Sequence, residues 1–126
     1  MVIVLANGCF DILHVGHVEH LREARSMGDF LIVSLTSDEC VNKGPGRPIN
    51  TWNDRAKVLR ELRCVSSVSP TPNAVSAILQ VRPNIFVKGI DYAQGDKFTE
   101  DIVKACLEVG CKLLYTTTPK RTAWKP

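Results

Sequence analysis

Two histidines three residues apart, His14 and His17, sit where a short apolar run gives way to an amphipathic stretch. The run ends at Ala6, and Asn7-Gly8-Cys9-Phe10-Asp11-Ile12-Leu13-His14-Val15-Gly16-His17 follows. The amino end of a helix presents unsatisfied N–H groups and partial positive charge, which together attract anions. Imidazoles placed there add donors, and donors fixed around a phosphoryl oxygen stabilise the charge that builds on it. Gly8 and Gly16 then mark places where a missing Cβ lets a polyanion approach the backbone. Two other readings compete. The spacing by threes continues to His20, so the three histidines form either a metal cluster or ordinary polar helix positions, although Glu19 and Glu23 complete no known ligand pattern. His20 taken alone reads as a partly exposed helix residue, and Glu23 as an outward-facing one. No serine, cysteine or aspartate is placed as an activated nucleophile. Asp11 reads as ordering the loop and Cys9 as a small spacer.

These residues need a scaffold, and the pattern of the chain supplies one. Val2–Ala6, Phe30–Leu35, Val65–Val68, Ile85–Val87 and Lys112–Tyr115 are short apolar runs of the kind buried on both faces of a parallel sheet. Between them lie amphipathic stretches at His17–Met27, Asn53–Leu62, Asn73–Gln80 and Thr99–Val109, with Asn73 as an N-cap and Gly110 as a C-cap. Alternating strands and helices with right-handed crossovers predict a Rossmann-like α/β fold, a doubly wound five-stranded parallel sheet with helices on both faces. Ligands of such sheets lie beyond the carboxyl ends of the strands, where strand order reverses. The length of 126 residues fits one domain, 1–126, with a core of ordinary size. Sixteen Lys and Arg against thirteen Asp and Glu leave a net charge of +3, which suits anionic small substrates but is too mild for nucleic-acid binding. No apolar run approaches a signal peptide or membrane span, and five scattered cysteines without a Cys-x-x-Cys pair point to a reducing, cytoplasmic setting.

The segment from Gly8 to His17 resembles the first signature of the cytidylyltransferase-like nucleotidyltransferases, the "HIGH" superfamily. Members transfer a nucleoside monophosphate from CTP or ATP, with Mg²⁺, to a phosphorylated small acceptor and release pyrophosphate. The resemblance implies catalytic roles for His14 and His17, and nucleotide contacts from Gly8, Cys9, Phe10 and Gly16. Protein residues hold no metal directly, and a homodimer is implied. The Gly- and Pro-rich stretch 36–50 is long for a strand-to-helix loop. Its Lys43 stands where the family places a lysine for the acceptor phosphate; otherwise it is a solvated loop residue. Arg55 matches the arginine that contacts nucleotide phosphates, a planar fork suited to them. Its alternative is a surface pair with Asp54 or Glu61. Val87-Lys88-Gly89-Ile90-Asp91-Tyr92 is similar to the turn in the adenylyltransferase domain of ADP-heptose synthesis enzymes, and glycerol-3-phosphate cytidylyltransferases carry a related turn. Lys88, Gly89, Asp91 and Tyr92 are accordingly nucleotide-side residues, or else a solvated loop. After the fifth strand the family carries an Ile-Ser-Thr-Thr-like segment that grips the triphosphate. Here Thr118, Arg121 and Thr122 occupy that region, while Ala123 and Trp124 stand in place of the two threonines. Two further function classes stay open beside the enzyme: a nucleotide-binding module without catalysis, and a small metallohydrolase built on the three histidines.

Overall fold

The computed structural model describes residues 1–41, 44–89 and 97–117. Five strands alternate with four helices: β1 (Ile3–Gly8), α1 (Val15–Arg25), β2 (Phe30–Thr36), α2 (Trp52–Arg60), β3 (Ser67–Thr71), α3 (Ala74–Val81), β4 (Ile85–Lys88), α4 (Lys97–Val109) and β5 (Lys112–Tyr115). A 3₁₀ turn at Asp38–Cys40 follows β2. Every pairing is parallel, in the order β3-β2-β1-β4-β5. This is the doubly wound sheet that the alternating pattern predicts. Strand order reverses between β1 and β4, so the ligand crevice of such a sheet lies above the ends of those two strands.

Period-two alternation along β1 sorts the core into two layers. Val4 and Ala6 join Leu21 and Ala24 of α1, Leu31, Val33 and Leu35 of β2, and Ala56 and Leu59 of α2. Leu5 faces the other way, onto Ala74, Ala77 and Ile78 of α3 and Ile102, Ala105 and Cys106 of α4. Burial on both faces is why the strands read as continuous apolar runs. Asn73 caps α3 as expected, its side chain accepting the Ser76 N–H at 2.9 Å. Gly110, at φ +71°, ends α4 in the left-handed conformation that favours glycine.

Two strands have an end two or more residues from the sequence expectation. β3 begins two residues later than Val65, because Val65 closes the turn after α2 with its N–H on the Leu62 carbonyl. The strand then runs through Pro70, which an edge strand tolerates because one side of it needs no ladder donor. β1 runs past Ala6 to Gly8, pairing Asn7 with Ser34 and Gly8 with Leu35. The Ser34 hydroxyl donates to Asn7 Oδ1 at 2.8 Å, which compensates a polar side chain carried within a sheet.

Candidate active site

The histidine loop leaves β1 in a tight turn. Phe10 takes φ +48°, in the left-handed region, and its ring is buried. A Cβ on Gly8 would lie 2.8 Å from that ring. Gly8 is therefore required by the close approach of Phe10. Phe10 in turn meets His17 edge-on, ring centroids 5.2 Å apart and planes at 75°. Beneath the loop, Asp11 is 1% exposed. Its Oδ2 accepts from the Ile49 N–H at 2.6 Å and Arg47 Nε at 3.0 Å, and its Oδ1 accepts from the Asn50 N–H at 2.9 Å. Burial alone would raise this carboxyl's pKa. The Ile49 and Asn50 N–H groups and the Arg47 guanidinium outweigh it and hold the pKa below the ordinary value of 3.8. Asp11 thus ties the long loop after β2 to the histidine loop.

Helix α1 begins at Val15, two residues before the expected start, because His14 is its N-cap. His14 Nδ1 accepts the Gly16 N–H at 3.1 Å, and His17 Nδ1 accepts the His14 N–H at 3.2 Å. This is a reciprocal capping box made from two imidazoles, where Ser or Thr with Glu is usual. An Nδ1 that accepts carries no proton, so each ring bears its proton on Nε2. The rings lie together, centroids 3.8 Å apart and tilted by 31°. Gly16 contributes its N–H to this cap.

Arg55 is placed differently from the phosphate contact that the resemblance implies. It is 2% exposed. Its Nε donates to the Asn50 carbonyl at 3.0 Å, its Nη1 to the Cys9 and Thr36 carbonyls at 2.9 Å each, and its Nη2 to Asp38 Oδ1 at 2.5 Å. Four of five donors are thus held by protein acceptors, none of them Asp54 or Glu61. The guanidinium fastens α2 to the ends of β1 and β2, and it holds the Cys9 carbonyl at the root of the histidine loop. Lys88, the last residue of β4, is buried, with Nζ 3.3 Å from Thr99 Oγ1 of α4. Gly89 follows it, half-buried at the switch point. Lys43, Asp91, Tyr92, Thr118, Arg121 and Thr122 lie outside the described residues.

His20 does not join His14 and His17. Its Nδ1 lies 2.7 Å from the hydroxyl of Thr116, just past β5. Among the described residues no group of three His, Cys, Asp or Glu is placed to hold a metal. Glu23 reaches across the surface to the chain leaving β5, accepting from the Thr117 N–H at 2.9 Å and its hydroxyl at 3.1 Å. Sequence reasoning missed both residues. The signal was the series His14, His17, His20, Glu23, four polar residues in steps of three, each the neighbour of the next across one helical turn.

Fold and site together define a doubly wound α/β protein with a histidine-capped helix following β1, beside the point where strand order reverses. Residues 5–121 match the cytidylyltransferase-like family, and the chain belongs to that family of nucleotidyltransferases. It is 49% identical over 107 residues to the bifunctional protein HldE of Pseudomonas entomophila (strain L48), an alignment covering 82% of this chain and 23% of that protein. The HldE of Campylobacter concisus (strain 13826) is 46% identical over 108 residues, covering 81% and 22%. The chain thus spans less than a quarter of the length of these relatives. Among solved structures, the lipopolysaccharide core biosynthesis protein from Thermoplasma volcanium GSS1 superposes with a TM-score of 0.78 at 29% identity, covering 95% of this chain and 99% of that one. The pantoate-beta-alanine ligase from Francisella tularensis shares the fold, with a TM-score of 0.64 at 16% identity over 95% of this chain and 60% of its own.

Proposed function

We propose that the protein transfers a nucleoside monophosphate from a triphosphate to a phosphorylated sugar, with AMP from ATP as the favoured pair. The observation that carries this reading is the imidazole pair at the amino end of α1, each ring holding its proton on Nε2. The acceptor's phosphate oxygen attacks the α-phosphorus in line, and pyrophosphate leaves. The Nε2–H groups of His14 and His17 stabilise the charge on the crowded phosphoryl oxygens, with no covalent enzyme intermediate. Lys43 neutralises the acceptor phosphate, and Lys88 adds positive field from the far side of the crevice. Gly89, Asp91, Tyr92, Thr118, Arg121 and Thr122 complete the nucleotide's surroundings. Arg55 acts one step back, through the Cys9 carbonyl that it holds. Both Asp11 oxygens already accept protein donors, so Asp11 suits a loop anchor better than a metal ligand. Mg²⁺ then arrives on the triphosphate, as part of the substrate.

Identity of nearly one half to HldE proteins, and the Val-Lys-Gly-x-Asp-Tyr run, support the adenylyl and sugar-phosphate choices. CMP transfer to a polyol phosphate such as glycerol 3-phosphate is the alternative within the same chemistry. A homodimer in the cytoplasm fits the resemblance and the five free cysteines. The test is a matrix of ATP and CTP against heptose 1-phosphate, glycerol 3-phosphate, phosphocholine and phosphoethanolamine, followed by pyrophosphate release. ATP with the sugar phosphate is expected to give the highest kcat/KM. Thermal stabilisation by nucleotide, without product from any acceptor, would instead identify a binding module.

A further inference from the structure

The polar series along α1 does not stop at the imidazole pair. One turn beyond His17, His20 meets Thr116, which is fully buried. Thr116 faces two ways. Its hydroxyl takes His20, and its N–H donates to the Lys88 carbonyl at 2.9 Å. One turn further, both Glu23 oxygens accept from the Thr117 N–H. A single rigid element therefore touches three places: its own histidine cap, the end of β4 through Thr116, and the chain leaving β5.

We propose that His20 is a positioning residue for nucleotide binding. Through Thr116 it fixes the ends of β4 and β5 to the same helix that presents His14 and His17. The inference rests on the nucleotidyl-transfer reading and deepens it. Its physical basis is registration. Groups carried on different strands grip one ligand together only when the unliganded chain already holds them in place, because any ordering left to the binding step is subtracted from affinity. Parallel strands hold one another laterally through the ladder. A half-buried side-chain bond from helix to strand end adds a fixed point at the carboxyl edge, where the ladder stops. Burial keeps the His20 ring neutral, pushing its pKa below the ordinary 6.5 against the opposing field of Glu23.

Four variants test it: His20→Ala, Thr116→Val, their double, and His20→Asn, whose amide keeps a hydrogen-bonding atom where Nδ1 stands. ATP and CTP affinities are measured by equilibrium titration, and KM and kcat by pyrophosphate release. His20→Ala and Thr116→Val are each expected to weaken nucleotide binding about tenfold, the scale of one hydrogen bond, with kcat changed by less than about threefold. The double variant should be no worse than either single, since one bond is lost in all three. His20→Asn should bind nearly as wild type. If His20→Ala does not fold, the isosteric Thr116→Val still decides. Unchanged affinity in both single variants overturns the inference alone, as does an asparagine no better than alanine. Wild-type protein that binds neither nucleotide overturns the nucleotidyl-transfer reading, and this inference with it.

Discussion

Each imidazole of the pair does two jobs at opposite edges of one ring. Nδ1 accepts a backbone N–H that the helix end would otherwise leave unsatisfied, and this fixes the proton on Nε2. The two jobs separate by mutation, because asparagine reproduces the Nδ1 edge and lacks anything at Nε2. His14→Asn should therefore keep its cap and nearly all of its melting temperature, while turnover falls on the order of 10²–10³-fold, as when a donor to a transition-state oxygen is removed. His14→Ala should lose the same turnover and in addition about 1 kcal/mol of stability, the usual worth of an N-cap. Paired pyrophosphate assays and thermal melts check both. Equal stability losses in the two variants would show that the cap is not what His14 contributes to folding.

Helices and strands come to the site through a few buried polar ties, and Arg55 is the densest of them. From α2 it reaches the carbonyls of Cys9, just past β1, of Thr36, the last residue of β2, and of Asn50. Arg55→Met keeps much of the volume but leaves those three carbonyls without their donor. Each orphaned group costs about 1–3 kcal/mol, so the whole change should cost on the order of 3–5 kcal/mol. Urea denaturation should show it as a lower midpoint with little change in slope. A variant as stable as wild type would return Arg55 to the role of a ligand contact. The arginine was legible in the sequence; its burial was not. A helix-opening Arg beside Asp54 has the same local pattern whether it faces solvent, phosphate or the interior. Only the packing of α2 under the loop after β2 chooses among them.

At the scale of the whole molecule, acid acts on Asp11 and His20, two of the described groups whose pKa values folding depresses. Each binds its proton more weakly in the folded chain than in the unfolded one. The stability each contributes is complete above its unfolded pKa and is lost as pH falls toward the folded value. For His20 the loss sets in below about pH 6.5, and for Asp11 below about pH 3.8. Melting temperature should thus decline in two steps from pH 8 to pH 3. His20→Asn should flatten the upper step and Asp11→Asn the lower one. An upper step unchanged by His20→Asn would place that proton elsewhere.

Strand and helix identity, the parallel sheet and the histidine signature were all legible in the residues themselves. Periodicity records burial directly, and a cap followed by an apolar stripe is a local signal. Boundaries slipped where one residue decided them: Pro70 on a free edge, Asn7 compensated by Ser34, and His14 as an unusual cap. Roles that depend on distant partners were not legible. The Gly8 gap belongs to Phe10, Arg55 turns inward to carbonyls, and His20 and Glu23 reach Thr116 and Thr117 more than ninety residues away. The sequence by itself determined which elements form and which side chains offer donors, because both follow from local chemistry. The tertiary structure alone decided what each donor meets, because hydrogen-bond partners are chosen by the way elements pack.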